Sequence, residues 1–263
     1  MATNAFNEWK LQTQSIFDYS VLIHYAVPAL KQHISLVERG DLSGLSRPDY
    51  YRSHKPNAYT EPALCKDLKR RASEYKAQTS KFMILSLFSY FEAFVVDIIK
   101  EFLDFHGGAS ALNGFAVKKA KRSILMRNGN SKVKRWSSWL KPTTRKSGRD
   151  YKAAARQLVD VGYFFPSDFL SAYGVYMLGV KIKDLKSKDI PEVLINALHM
   201  DLDEKLVREF HRIRDIRNNI AHGRHVNLTI KDVTDFNSTL MTMAKKIDSH
   251  VYDFFLVYEK YAI

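Results

Sequence analysis

A chain of 263 residues that is 46% hydrophobic, with 16 Phe and 14 Tyr, can fill one large domain or two small ones and is not a disordered sequence. Eleven Gly and seven Pro favour long regular elements over a turn-dense β fold, and a single cysteine, Cys65, excludes an internal disulfide. The net charge is +13, and thirteen Lys or Arg against one Asp between Val117 and Lys152 supply twelve of those charges, which suggests a polyanion-binding surface on a nearly neutral body.

The opening residues, MATNAFNEWKLQTQ, lack the basic-then-apolar order of a secretion signal. With one thiol in the chain, a reducing cytoplasm is expected. Residues 5–38 read as a helix with Phe6, Trp9, Ile16, Val21, Leu22, Tyr25 and Leu30 among its apolar positions, and Pro28 predicts a kink or break. Residues 40–62 read as a loop. Helices are predicted at 63–77 and 80–105, the second ended by Gly107-Gly108. The most apolar stretch, FMILSLFSYFEAFVVDIIKEFL at 82–103, is interrupted by Glu92, Asp97, Lys100 and Glu101. Its longest uncharged run, Phe82–Phe91, falls short of the roughly 20 apolar residues that a bilayer span needs. A buried core helix is predicted, with no membrane partner.

Within the basic segment, RNGNSK and KPTTRKSG read as loops, and 150–161 and 167–180 as short helices. SKDIPEVLINALHM reads as a helix opening, with Asp189 near the cap and Pro191 in the first turn. Asp203–His222 is a strong helix closed by Gly223. A last helix is predicted from near Thr229 to about Tyr258, with Ile230, Val233, Phe236, Leu240, Met243, Ile247, Val251 and Phe254 at its apolar positions. No stretch alternates with period two long enough to demand a sheet, so the fold class is all-α.

The helix at 203–222 carries an anomaly. Leu206, Phe210, Ile213 and Ile220 form an apolar stripe, and Arg217 falls in its gap, four after Ile213 and three before Ile220. A second, polar row holds His211, Asp215, Asn218 and His222. Arg217 and His222 are five residues apart, about 140° around a helix of 3.6 residues per turn, so they can line two walls of one groove. Spacing alone leaves a structural alternative open. Arg217 could pair with Glu92, an acid inside the apolar helix, and His222 could merely cap helix carbonyls.

The stretch RNNIAHG, with Arg217, four residues, then His222, resembles the R-x4-H motif of the HEPN superfamily. A polar residue directly after the arginine, here Asn218, is typical of it. FMILSLFSYFEAFVVDIIKEF resembles the first core helix of the RiboL-PSP-HEPN group and its near relatives. The resemblance covers roughly 79–105 and 203–258. It implies an up-down four-helix bundle at 63–263 interrupted by a large basic insertion at about 106–200, with 1–62 as an N-terminal helix and loop extension. It also implies a homodimer that cleaves RNA (tRNA, rRNA or mRNA) without metal or cofactor, acting as a toxin or an anti-phage defence effector beside an antitoxin or defence-system partner. Some members are inactive adaptors or RNA-binding modules. In one branch a nucleotidyltransferase antitoxin modifies a tyrosine two residues after the histidine; this chain has Arg224 there.

The residue types suit that chemistry independently. RNA is cut when its own 2′-OH attacks the neighbouring phosphate, which needs a group that exchanges a proton near neutral pH, and an imidazole with an ordinary pKa of about 6.5 does so. A placed guanidinium stabilises the charge that builds on the phosphorus oxygens. Arg217 and His222 are therefore the expected catalytic pair, with Asn218 orienting the histidine or the ribose and Glu92 in a supporting role. Lys132, Lys134 and Arg135 could neutralise phosphates while Trp136 and Trp139 stack on unpaired bases. The alternative for that segment is a solvated loop whose tryptophans fold back onto the body. No Cys/His cluster has zinc spacing and no carboxylate cluster looks like a two-metal site.

Overall fold

A computed structural model of the chain describes residues 2–45, 61–112, 178 and 182–256. Every regular element among the described residues is helical, as the sequence predicts: α1 (Asn4–Glu38), α2 (Glu61–Phe105), α3 (Ile190–Asn196), α4 (Glu204–Ala221) and α5 (Ile230–Phe254). Two 3-10 turns, Ile182–Asp184 and Ser187–Asp189, precede α3. The loops predicted at RNGNSK and KPTTRKSG and the short helices predicted at 150–161 and 167–180 lie outside the described residues, Leu178 apart.

Three features differ from the sequence expectation, the simplest being that α5 ends at Phe254 rather than near Tyr258. Pro28 does not break α1, which runs 35 residues through it. Proline removes one helical N–H and strips a partner from the carbonyl four residues back. Pro28 is exposed, so water can reach that carbonyl. Likewise the helices predicted at 63–77 and 80–105 are one helix of 45 residues. The residues between the two predicted helices, Gln78 and Thr79, include neither Gly nor Pro, so nothing there obliges a break. Ser80 is accommodated because its hydroxyl donates back to the Lys76 carbonyl at 2.8 Å, inside the helix. The predicted terminus is correct: Gly107 adopts φ +80°, which glycine alone takes without penalty, and the Gly108 N–H reaches the Leu103 carbonyl at 2.8 Å.

The described residues form two compact units. The first comprises residues 1–11, 88–215 and 238–263. Its core is aromatic. Phe6, Trp9, Phe91 and Phe94 meet with ring centroids 5.6–6.2 Å apart. Phe210 stacks on Phe88 at 5.4 Å and tilts against Phe91 at 5.8 Å. Such pairs add about 0.5–1.5 kcal/mol each beyond their burial. The apolar stretch of α2 is buried as the sequence predicts, and Phe88, Phe91, Phe94, Val95, Ile98, Ile99, Phe102 and Leu103 are its share of this unit.

Two carboxylates hold the start of α1 in this unit. Glu101 accepts from the N–H groups of Asn4 and Ala5 at 3.0 and 2.9 Å. Buried Asp248 accepts from the N–H and the hydroxyl of Thr3 at 2.9 and 2.6 Å, while the Thr3 hydroxyl caps the Phe6 N–H at 3.1 Å. The first turn of a helix presents unbonded N–H groups and a positive dipole end, so acids are favoured there.

Half-buried histidines set the pH response of this unit. His106 Nε2 donates to the Phe255 carbonyl at 2.6 Å and His250 Nε2 to the Leu198 carbonyl at 2.8 Å. Burial lowers the pKa of both, and that of His199, on which the charge of His250 acts in the same direction. The folded state therefore prefers these imidazoles neutral. Unfolded, each takes up a proton near its ordinary value of about 6.5. Stability is full above that value and is lost as pH falls from it through the lowered values. The expected result is a melting temperature that drops on acidification below about pH 6.5, read by scanning calorimetry across a buffer series; a rise on acidification would contradict it.

The second unit comprises 12–87 and 216–237. Ile34, Leu64, Cys65, Ala72, Met83, Ile84, Leu87, Leu228, Val233 and Phe236 are buried in it. The His24 ring meets Tyr75 edge-on at 5.4 Å, and Lys31 Nζ lies over the Tyr75 ring, 5.8 Å from its centroid. Val21, Leu22 and Tyr25, read from the sequence as apolar positions of α1, face solvent instead, Leu22 and Tyr25 being 66% and 78% exposed. Among the large apolar side chains of α1, burial falls on Phe6, Trp9 and Ile34.

Candidate functional site

α4 opens where Asp203 Oδ1 accepts the Lys205 N–H at 2.8 Å, an acid at the positive end of the helix. Its outer face carries the exposed pairs Arg208–Glu204 and Arg212–Glu209, each of small energetic weight. Its inner face carries Phe210 and Ile213, both fully buried. Leu206, Arg217 and Ile220 are half-buried. Arg217 thus sits at the margin of the apolar stripe, where part of the guanidinium stays hydrated and the cost of burial is reduced.

The guanidinium is oriented locally. Arg217 Nη1 donates to Asn218 Oδ1 at 3.0 Å. Asn218, expected to orient the histidine or the ribose, binds the arginine in this structure. Glu92 is half-buried on α2.

His222 follows the last helical residue and is exposed. Its N–H still bonds the Asn218 carbonyl at 3.0 Å. Gly223 then turns to φ +71° and donates to the Ile220 carbonyl at 3.0 Å, and the Arg224 N–H closes on the Asn219 carbonyl at 2.9 Å. These bonds make a Schellman turn, which satisfies the carbonyls that a helix end leaves open. The turn fixes the backbone on which the His222 imidazole stands. A Cβ at Gly223 would meet nothing within 4 Å, so Gly223→Ala strains only the backbone, by about 1–2 kcal/mol. The variant is expected to melt several degrees lower, at roughly 2–4 °C per kcal/mol, and Gly223→Asn to recover part of the loss because Asn tolerates that conformation; equal melting of Gly223→Ala and wild type would refute the strained turn.

The sequence reading missed one pair. Arg224 Nη1 donates to Asn219 Oδ1 at 3.0 Å, so residue 219 holds residue 224 through both backbone and side chain. The signal was present: a glycine just past a helix end brings the following residue back to the carbonyl five positions earlier.

Other histidines near the motif have plainer surroundings. His211 Nδ1 accepts from Arg214 Nη1 at 3.0 Å, and Arg214 also pairs with Asp215 at 2.7 Å. Burial, then the Arg214 charge, lowers the His211 pKa against an opposing pull from Asp215. His225 is exposed. No acid occurs between Ile216 and Lys231, so Arg217, His222, Arg224 and His225 have no carboxylate beside them in that stretch of sequence. Among the described residues, no group of three His, Cys, Asp or Glu is placed to hold a metal ion. Lys132, Lys134, Arg135, Trp136 and Trp139 lie outside the described residues.

Comparison with known proteins adds one match. A family model described as RiboL-PSP-HEPN covers residues 63–253, which run from the third residue of α2 through all but the last residue of α5. No curated protein matches the chain, and no solved structure does.

Proposed function

The chain belongs to the RiboL-PSP-HEPN family, and from that membership and the α4 terminus we propose that it is a metal-independent endoribonuclease of the HEPN type, a toxin or anti-phage effector acting on cellular RNA. The observation that carries the reading is the placement of Arg217 and His222 at one helix end, the guanidinium held by Asn218 and the imidazole presented to solvent on a glycine-fixed turn.

The reaction balances without any further reagent. An imidazole takes the proton of the 2′-OH. The freed oxygen forms a bond to the adjacent phosphorus, and the bond from phosphorus to O5′ breaks. A protonated imidazole returns a proton to O5′. The products are a 2′,3′-cyclic phosphate and a 5′-hydroxyl. Arg217 neutralises the extra charge on the non-bridging oxygens, where a preorganised donor is worth most. One chain supplies one histidine in this motif. A symmetric homodimer would supply two, one as base and one as acid.

The test is incubation of the purified full chain with total RNA in excess EDTA, followed by analysis of the new ends. Cleavage that leaves cyclic phosphate and 5′-hydroxyl, and that stops when the attacking ribose is replaced by deoxyribose, supports the proposal. Cleavage of the deoxy substrate defeats it. RNA bound but never cut selects the alternative, a non-catalytic RNA-binding or adaptor module.

A further inference from the structure

The two asparagines after Arg217 each hold one arginine. Asn218 Oδ1 receives Arg217 and Asn219 Oδ1 receives Arg224, both at 3.0 Å. The two arginines are not equivalent. Arg217 is half-buried, whereas Arg224 is exposed and lies beyond the helix end, one residue past Gly223. A structural arginine at a helix terminus normally turns onto the last carbonyls or an acid. Arg224 instead spends one N–H on a neutral amide, which leaves its charge uncompensated by that partner and its remaining N–H groups directed elsewhere. Its backbone is fixed by the bond to the Asn219 carbonyl and its side chain by the bond to the Asn219 amide oxygen. Such tethering removes much of the rotamer freedom that a surface arginine would otherwise lose on binding. The neighbouring residues are His222 and His225, and the stretch 216–231 carries no acid.

We propose that Arg224 is a second phosphate-binding residue of the site, gripping an RNA phosphate next to the one that is cut. This rests on the nuclease reading for the identity of the ligand. The role differs from that of Arg217: Arg224 binds a phosphate that does not react, so it strengthens substrate binding in the ground state and the transition state alike. The substrate it selects is an RNA strand that extends past the cleaved dinucleotide.

The experiment measures binding rather than cleavage, so that it is read independently of the chemistry. Full-length His222→Ala protein is titrated with a fluorescent single-stranded RNA of roughly twelve nucleotides at several salt concentrations, with and without Arg224→Gln. Glutamine removes the charge and leaves a shorter, neutral amide side chain. The expected result is at least about a tenfold loss of affinity and a log K against log salt slope flatter by about 0.7, one phosphate contact on a single strand. Arg224→Lys should restore the slope. Equal affinity and slope with and without the Arg224 charge, or no RNA binding by the His222→Ala protein, overturns the proposal. A melting temperature measured on each variant separates lost charge from lost fold. Absence of RNA cleavage by wild type, with the Arg224 effect on binding intact, would remove the nuclease reading and leave Arg224 as an RNA contact.

Discussion

On the proposed mechanism, His222→Ala is expected to cleave RNA at least roughly 10²–10³ times more slowly than wild type, the usual cost of deleting a proton-transfer group or a preorganised transition-state donor. Arg217→Ala suffers a loss of the same order, and Arg217→Lys does not restore it, because an ammonium lacks the planar fork that meets two phosphate oxygens and an Asn218 oxygen together. The two variants differ in stability. His222 is exposed and only its backbone N–H enters the helix bonds, so His222→Ala melts with wild type. Arg217 is half-buried and bonded to Asn218, so its removal also costs some packing. His222 is therefore the cleaner probe of chemistry. In a bacterial host, wild type should arrest growth and fragment a defined RNA, and His222→Ala should do neither. Equal cleavage by wild type and both variants would end the assignment.

Phe210→Ala loses about 3–5 kcal/mol of folding stability, the range for deleting a buried aromatic ring. The ring is fully buried, stacked on Phe88 at 5.4 Å and packed on Phe91 at 5.8 Å. Its removal forfeits transfer energy, aromatic contacts and close packing at once. Native domains hold only about 5–15 kcal/mol in reserve, so the variant sits near its threshold. Urea denaturation reads the effect as a lower midpoint at unchanged slope. A loss below about 1 kcal/mol, the scale of an average surface-to-core substitution, would mean that the ring is not the core anchor described.

Where local chemistry decides structure, the sequence was legible. Glycines 107 and 223 end their helices because they adopt positive φ, and the Thr229 start of α5 is a reciprocal cap in which Thr229 and Asp232 bond each other's N–H groups at 3.2 and 2.8 Å. Phe210, Ile213, Leu240, Met243 and Ile247 are buried as their periodicity predicts. Where solvent decides, it was not. Pro28 breaks nothing because it is exposed, and Val21, Leu22 and Tyr25 match a helical core pattern yet face water; periodicity records that residues share a face, not what covers it. The site divides in the same way. R-x4-H singles out Arg217 and His222 by spacing, but the partners of Asn218 and Asn219 depend on side-chain rotamers that spacing does not encode.

The anchoring of the first turn of α1 sets how the chain can be shortened. The family match begins at residue 63, and a fragment cut there would look complete by homology. It would not be complete physically. Glu101 would lose the amides of residues 4 and 5, Asp248 would lose Thr3, and Phe91 and Phe94 would lose Phe6 and Trp9. A fragment cut at residue 63 therefore forfeits every hydrogen bond and ring contact that residues 3–9 make with the rest of the first unit.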